Sequence, residues 1–469
     1  MMTKTFRVVL IGLALMLLFG LPMVWAGGKQ EDEPAAASSS EDREKTPIEV
    51  YNPSFAYPTE KISLTLWDYY DERPDRIAYL KKQAKEFQKI HPNIDLTVVN
   101  IPWVGWKAKY LSAFQAGTGP DIATWDPPMA VPMGAVYPAP DWASKLIDEK
   151  YTDAAKKTMI FEGKYWGWPS QIDAGQMLYY NTTMYEEAGL DPDGPPETLP
   201  ELLEAMKKTT KYDSQGTITQ GGWAIRYFGD VPSIAGKFAP FLWTFYDCQN
   251  GYAFNDDYSD VPFEEPEYLE ALTFYQKMVF EWKVASNQMP KPVEAFQLGL
   301  TAMTNRESFM VGHLKRESPD LEFKIAPLVN GAAPYGKFEV GTKLSAGQMM
   351  MVTTKEHLDV AWDVSLWLNN EEHDLVLAKM QGGMPTRKTS MNSEYVQKEI
   401  PYGKTAEILW SRPPARIEVD PWGIGSEVRH QLGAAVEAVI AGKADPGPAL
   451  KEAAVNARAV IAKAKAAGM

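Results

Sequence analysis

Thiol and imidazole chemistry is nearly absent from this sequence. Its one cysteine, Cys248, cannot close an internal disulfide, so the fold must be held by its core in any redox compartment. The five histidines, at 91, 313, 357, 373 and 430, show no HExxH or paired ligand spacing, and no metal site or cofactor is expected. No order of Ser, His and Asp suggests a hydrolase triad either. Long apolar runs are equally scarce. The single one, Val8 to Leu21, follows Lys4 and Arg7 and precedes Val24-Trp25-Ala26, which is the pattern of a cleaved secretory signal over residues 1–26. It is too short to span a bilayer. A lipoprotein needs a cysteine directly after cleavage, and Gly27 stands there, so the expected product is periplasmic or extracellular and carries no lipid.

Positive charge is in deficit, with 47 Lys and Arg against 61 Asp and Glu, for a formal charge of −14. An acidic surface repels phosphate backbones, which argues against nucleic acid as a partner. What the chain does have is tryptophan, 15 in 469 residues. Trp282, Trp362 and Trp367 fall in helical patterns and are expected in the core. Others stand beside carboxylates in polar loops, where an indole is poorly placed for core packing.

Residues 27–60 open with EDEPAAASSSEDREK and continue with TPIEVYNPSFAYPTE, a flexible tether by composition that ends in a loosely packed stretch. Order is expected from Ile62, where ISLTL alternates as a strand. A helix follows through Ile77, Leu80, Ala84, Phe87 and Ile90, then a strand from Ile94 to Ile101, a helix from about Val104 to Gln115, and a strand from Asp121 to Trp125. Strands alternating with helices predict an α/β chain with a parallel, doubly wound sheet. Thr198 and Glu201 have capping-box spacing, and helices are expected at 268–282, 357–368, 426–441 and 448–466, the last two Ala-rich and dependent on docking. About 440 residues after the signal suggest at least two domains.

Several segments, in order, resemble extracellular solute-binding protein family 1, the maltose-binding-protein-like sugar receptors of ABC importers. They are HPNIDLTVV with its preceding helix, AGTGPDIATWD, FEGKYWGWPS, LYYNTTMYEEAGLD with PPETLPELLEAM, FQLGLTAMTN, AWDVSLWLNNEEHD and GGMPTR. The resemblance runs from about Ile62 to Ala466. It implies a two-lobed, type II-like periplasmic-binding fold with discontinuous lobes and hinge strands, one lobe over 61–171 and 340–382 and the other over 172–339 and 383–469. It also implies a monomer that hands its ligand to an ABC permease. Where the family often has Gly and an aromatic, this chain has Asn305-Arg306-Glu307-Ser308-Phe309, which offers a charged side chain instead.

In open α/β sheets a ligand sits beyond the carboxyl ends of strands. That rule selects Trp67, Asp68, Tyr69 and Tyr70 after the first strand and Trp125 and Asp126 after the third, and the resemblance points to the same two places. A pyranose offers a C–H face to an indole and an equator of hydroxyls to carboxylates, amides and guanidiniums. Further candidates are Trp103 at the second helix, Trp166 and Trp168 before the first crossing, and Asp173, Gln176 and Tyr179 after it. From the second lobe come Trp243, Arg306, Arg387 and Trp422. One of Trp166 and Trp168 is expected to be a cleft platform and the other a packing residue, and Trp243 is at least as well suited to core. The expected function is capture of a sugar, an oligosaccharide by the resemblance, without catalysis. Two rivals remain at this level. Acids plus aromatics also suit a cationic solute such as a polyamine, against which the candidate arginines speak, and paired carboxylates such as Asp68 with Asp126 or Glu72 would suit a glycoside-acting enzyme.

Overall fold

The computed structural model describes residues 46–69, 74–102, 105–125, 127–131, 133–170, 172–174, 176–247, 252–255, 259–340, 344–346, 349–399 and 424–466. The expected signal peptide and first part of the tether lie outside them, as do Tyr70, Trp103, Asp126 and Trp422.

Two five-stranded sheets organise the chain. Ile62–Asp68 (β1) buries alternate side chains and runs parallel to Ile94–Asn100 (β2), with Ile62 opposite Ile94. It is also parallel to Ile122–Trp125 (β3). A small hairpin, Ile160–Phe161 (β4) with Lys164–Tyr165 (β5), leads to Trp168–Pro169 (β6), and the chain leaves this sheet through Ile172–Ala174 (β7). The second sheet is built from Met177–Asn181 (β8), Lys211–Tyr212 (β9), Ile218–Trp223 (β10), Thr301–Arg306 (β11) and Phe323–Ala326 (β12), in the order β12-β8-β11-β10-β9. Leu344–Ala346 (β13) then returns antiparallel to β7, and Met349–Val352 (β14) completes the first sheet in the order β2-β1-β3-β14-β6.

Each sheet therefore mixes directions. β14 runs antiparallel to β3 and β8 antiparallel to β11, while β10 and β11 are parallel. The strand that arrives from the other sheet enters from the opposite end, so it cannot join in parallel. A purely parallel sheet, as the strand-helix alternation predicts, is corrected in this respect.

Helices cover both sheets. Pro74–Ile90, Trp106–Gln115 and Leu358–Trp367 lie with the first, and Leu199–Thr209, Val231–Phe245, Pro266–Phe280, Gly425–Ile440 and Pro446–Ala466 with the second. The Thr198 hydroxyl accepts from the Glu201 N–H, and the Glu201 carboxylate accepts from the Thr198 N–H, so the capping box forms as the spacing predicts. Gly222 has a steric reason: a Cβ there would stand 2.2 Å from the Met206 carbonyl oxygen, so only glycine lets β10 approach the helix Leu199–Thr209 this closely.

Two expectations are overturned here. The segment after Thr46 does not pack loosely. Pro47–Tyr51 forms a short helix with Ile48 fully buried, the Ile48 N–H donates to Asp363 Oδ1 at 3.0 Å, and the Tyr57 hydroxyl donates to Asp363 Oδ2. Tyr57 stacks on His91 with centroids 3.8 Å apart, and Asn93 Nδ2 donates to the Pro58 and Glu60 carbonyls. Arg387, in turn, belongs with the first sheet and not with the second lobe. Its backbone N–H and that of Thr386 donate to the Asp374 carboxylate, and its guanidinium donates to the Tyr151 hydroxyl and the Asn369 carbonyl. The Tyr395 hydroxyl donates to the Ala378 and Gly383 carbonyls, so the chain still packs against the helix Glu371–Gln381 at residue 395.

Candidate functional site

The two crossing strands define where a ligand could meet both sheets. Trp125, at the carboxyl end of β3, stands opposite Met349 in β14, three residues beyond the end of β13. Gln176, two residues beyond β7, donates from Nε2 to Glu307 Oε1 at 3.3 Å, just past the carboxyl end of β11. The strand ends of both sheets therefore adjoin the β7–β13 ladder.

On the first lobe these ends carry an aromatic cluster. Trp67 is half-buried, Lys109 Nζ lies 5.1 Å from its ring centroid, and its carbonyl accepts from the Tyr110 hydroxyl. Tyr69 is buried and stacks on Trp106, centroids 4.1 Å apart and planes within 7°. Trp125 is almost fully buried, stacks against Phe114 at 4.9 Å with Tyr110 edge-on, and presents no free face to a ligand, which corrects its expected direct contact; its indole N–H has no hydrogen-bond partner among the described residues.

Asp68 is fully buried beneath this cluster. It accepts from Arg76 Nε at 3.0 Å and from the Thr124 hydroxyl at 2.7 Å, and Arg76 also reaches Ser170. A carboxylate so enclosed organises the strand ends and has no surface to offer a hydroxyl, which corrects its expected direct contact. Tyr110 has its phenol pushed well above the ordinary range, by burial first and the Asp68 carboxylate second.

Other expected contacts are packing residues. Trp168 is fully buried, donates to the Trp362 carbonyl and packs against Trp142, Tyr151 and Trp362. Trp166 is almost fully buried and donates to the Phe161 carbonyl at 2.7 Å. Trp243 lies in the second core on the apolar helix Val231–Phe245, near Tyr252. For each of these, enclosure by core side chains leaves no face for a ligand. Tyr179 is also enclosed, and its hydroxyl donates to the Glu307 carbonyl at 2.9 Å, which fixes the turn after β11. Asp173 lies on β7, its backbone paired with Ser345 of β13.

On the second lobe the strand ends carry charge. Arg306 closes β11, its guanidinium 5.2 Å from the Phe309 ring centroid and its Nη1 3.4 Å from Glu307. Glu307 also pairs with Lys237, which is only 4 % exposed on the helix Val231–Phe245. Burial pushes the Lys237 amine down to about 7, with the Arg306 charge adding to the effect. Burial alone would raise the Glu307 carboxyl, but Arg306 and Lys237 together outweigh it and hold it down at about 2. Arg226, in the loop after β10, is lowered by burial and then by repulsion from Arg306.

Arg226 and Lys237 were not among the sequence candidates. Lys237 did carry a signal, since it is the one charge within VPSIAGKFAPFLWTF, where an exposed helix would show several. Arg226 sits in WAIRYFGD and has no such mark; only the pairing of β10 with β11 brings it beside Arg306.

Among the described residues no group of three or more His, Cys, Asp or Glu could hold a metal ion, and no helix is long and apolar enough to cross a membrane. A family model described as bacterial extracellular solute-binding protein matches residues 82–401. A galactooligosaccharide-binding protein of Bacillus subtilis is 24% identical over 418 residues, covering 86% of this chain and 90% of its own. An arabinooligosaccharide-binding protein of Halalkalibacterium halodurans is 24% identical over 308 residues, covering 62% and 60%. A solved ABC transporter solute-binding protein of Thermotoga lettingae, bound with alpha-D-tagatose, matches with a TM-score of 0.68 at 22% identity, over 85% of this chain and all of that one. Likeness of that degree shows a common two-lobed fold. With more than half its length matched by the family model, this chain belongs to the bacterial extracellular solute-binding proteins.

Proposed function

We propose that this protein is the sugar receptor of an ABC importer, which captures an oligosaccharide between its lobes and delivers it to a membrane permease without catalysing a reaction. The observation that supports this most is the joining of two unlike strand-end clusters at one hinge: the half-buried Trp67, backed by stacked aromatics, on the first lobe, and guanidiniums and amides on the second. Indoles match the C–H faces of pyranoses, and planar donors match their hydroxyls. One ring face burying about 100 Å² on an indole contributes about 2.5 kcal/mol. Two such faces with several hydrogen bonds of about 1 kcal/mol each reach the roughly 8 kcal/mol of a micromolar complex before the costs of ordering are subtracted.

The enclosed state of Asp68 supports binding over glycoside chemistry, because an acid locked to Arg76 and Thr124 is not free to exchange a proton with substrate. A polyamine is disfavoured by Arg226 and Arg306, whose two charges outnumber the single Glu307 beside them.

A thermal-shift screen of mono- and oligosaccharides beside spermidine and putrescine tests the reading. A sugar at about 100 times its Kd adds about 2.7 kcal/mol to stability and raises the melting temperature. A shift produced by polyamines alone would overturn the proposal.

A further inference from the structure

We propose that the second lobe receives a negatively charged sugar, with a carboxylate of a uronic acid unit held between Arg226 and Arg306. This deepens the sugar-receptor reading and rests on it. β10 and β11 are parallel, and Trp223 stands opposite Met303. Arg306 is the last residue of β11, and Arg226 lies in the loop three residues beyond the end of β10, so both guanidiniums belong to the same carboxyl ends where ligand is expected, near enough for the charge of Arg306 to act on Arg226.

Charge at this spot is not balanced. Arg226 and Arg306, with a Lys237 amine that burial holds at about 7, face one acid, Glu307, whose Oε1 accepts from Lys237 and Gln176 and whose Oε2 lies 3.4 Å from Arg306 Nη1 without a hydrogen bond. Both arginine Nε atoms are buried without a hydrogen-bond partner among the described residues. A fourth cation stands near: a Cβ on Gly229 would lie 3.6 Å from Arg226 Nη2 and 3.7 Å from Lys291 Nζ. Asp230, the acid next in sequence, is exposed and caps the helix Val231–Phe245 by accepting from the Ser233 N–H.

Burying like charges together costs free energy unless something of opposite sign completes the group. Neutral hydroxyls would satisfy the donors but leave the charge. A carboxylate does both, because its two oxygens match the fork of a guanidinium. The surrounding chain is acidic overall, at −14, so this positive group is a local exception to its surface.

Calorimetry with digalacturonate and with galactobiose, and with dimannuronate and mannobiose, tests the proposal on the whole secreted chain. The acidic member of a pair is expected to bind at least ten-fold more tightly than its neutral partner, and raising salt from about 0.1 to 0.5 M to weaken only the acidic complex. Arg226→Gln and Arg306→Gln should each cost the acidic ligand at least ten-fold more than they cost its neutral partner, which loses a hydrogen-bond donor but no charge. Arg226→Lys, which keeps charge and loses the fork, should fall between wild type and Gln, and melting curves establish that each variant folds. Equal or tighter binding of the neutral sugars, or acidic binding indifferent to both Gln variants, would overturn the anionic assignment and leave the sugar receptor standing. No binding of any sugar in this panel or in the broader screen would overturn both.

Discussion

Asp68 shows how one side chain can matter to a site it does not touch. It lies below Trp67 and Tyr69 and neutralises Arg76, which is itself fully buried. Removing the acid leaves a buried guanidinium without its counter-charge, a change that typically costs about 3–5 kcal/mol. Asp68→Ala is therefore expected to lower the urea midpoint sharply, whereas a residue acting only on ligand would leave it unmoved. Trp67 and Trp168 separate in the opposite sense. Trp67→Ala should weaken sugar binding by at least about ten-fold, since an indole face contributes about 2.5 kcal/mol. Trp168→Ala should instead cost about 3–5 kcal/mol of stability and spare affinity. Calorimetry and urea unfolding of the two variants check the pair, and unchanged affinity in Trp67→Ala would remove that indole from the site.

Among the elements, the segment from Thr46 to Glu60 is held by one buried carboxyl. Burial pushes Asp363 up from 3.8 to about 7, and the nearby Glu49 charge acts in the same direction, against the lowering effect of hydrogen bonds from Thr46 and Ile48. The folded state thus binds this proton more tightly than the unfolded chain does. Its contribution is complete below about pH 4 and is lost as pH rises to about 7, with a slope of up to about 1.4 kcal/mol per pH unit. Asp363→Asn can keep the acceptor for Ile48 and has no proton to lose. Chemical unfolding at several values between pH 5 and 8 should show the wild type losing stability relative to this variant as pH rises; a constant difference would contradict the assignment.

Elements were legible in the sequence wherever local signals agreed. The alternation in ISLTL, the capping box at Thr198 and the apolar faces of the later helices correspond to β1, the helix Leu199–Thr209 and the helices Pro266–Phe280 and Gly425–Ile440. Docking of Pro47–Tyr51 was not legible, because its partner Asp363 is 315 residues from Ile48 and neither segment marks the other. The same limit applies to the site. Tryptophan beside aspartate looks like a sugar platform, yet Asp68 turns inward because Arg76 and Thr124 are there to receive it. Arg306 stood out by its departure from the family pattern, while Arg226 emerged only from strand register.

At the scale of the molecule, the strands that join the two sheets among the described residues are β7 and β13, a narrow ladder of three residue pairs. A hinge this slight permits the lobes to close on a ligand as rigid bodies. Solution scattering should give a smaller radius of gyration with bound oligosaccharide than without, and an unchanged radius at proven saturation would exclude closure.

The place of β14 bears on a different question, the order in which the protein can be made. This strand lies between β3 and β6, yet it begins only at Met349, long after β3 ends at Trp125. At ordinary synthesis rates the gap lasts on the order of ten seconds or more, during which the first sheet lacks an interior strand. Local helices and the β1–β2 pair can form in that interval, but the sheet cannot close. A chain bound for export must remain threadable until it has crossed, and a first lobe whose middle arrives last delays its own completion.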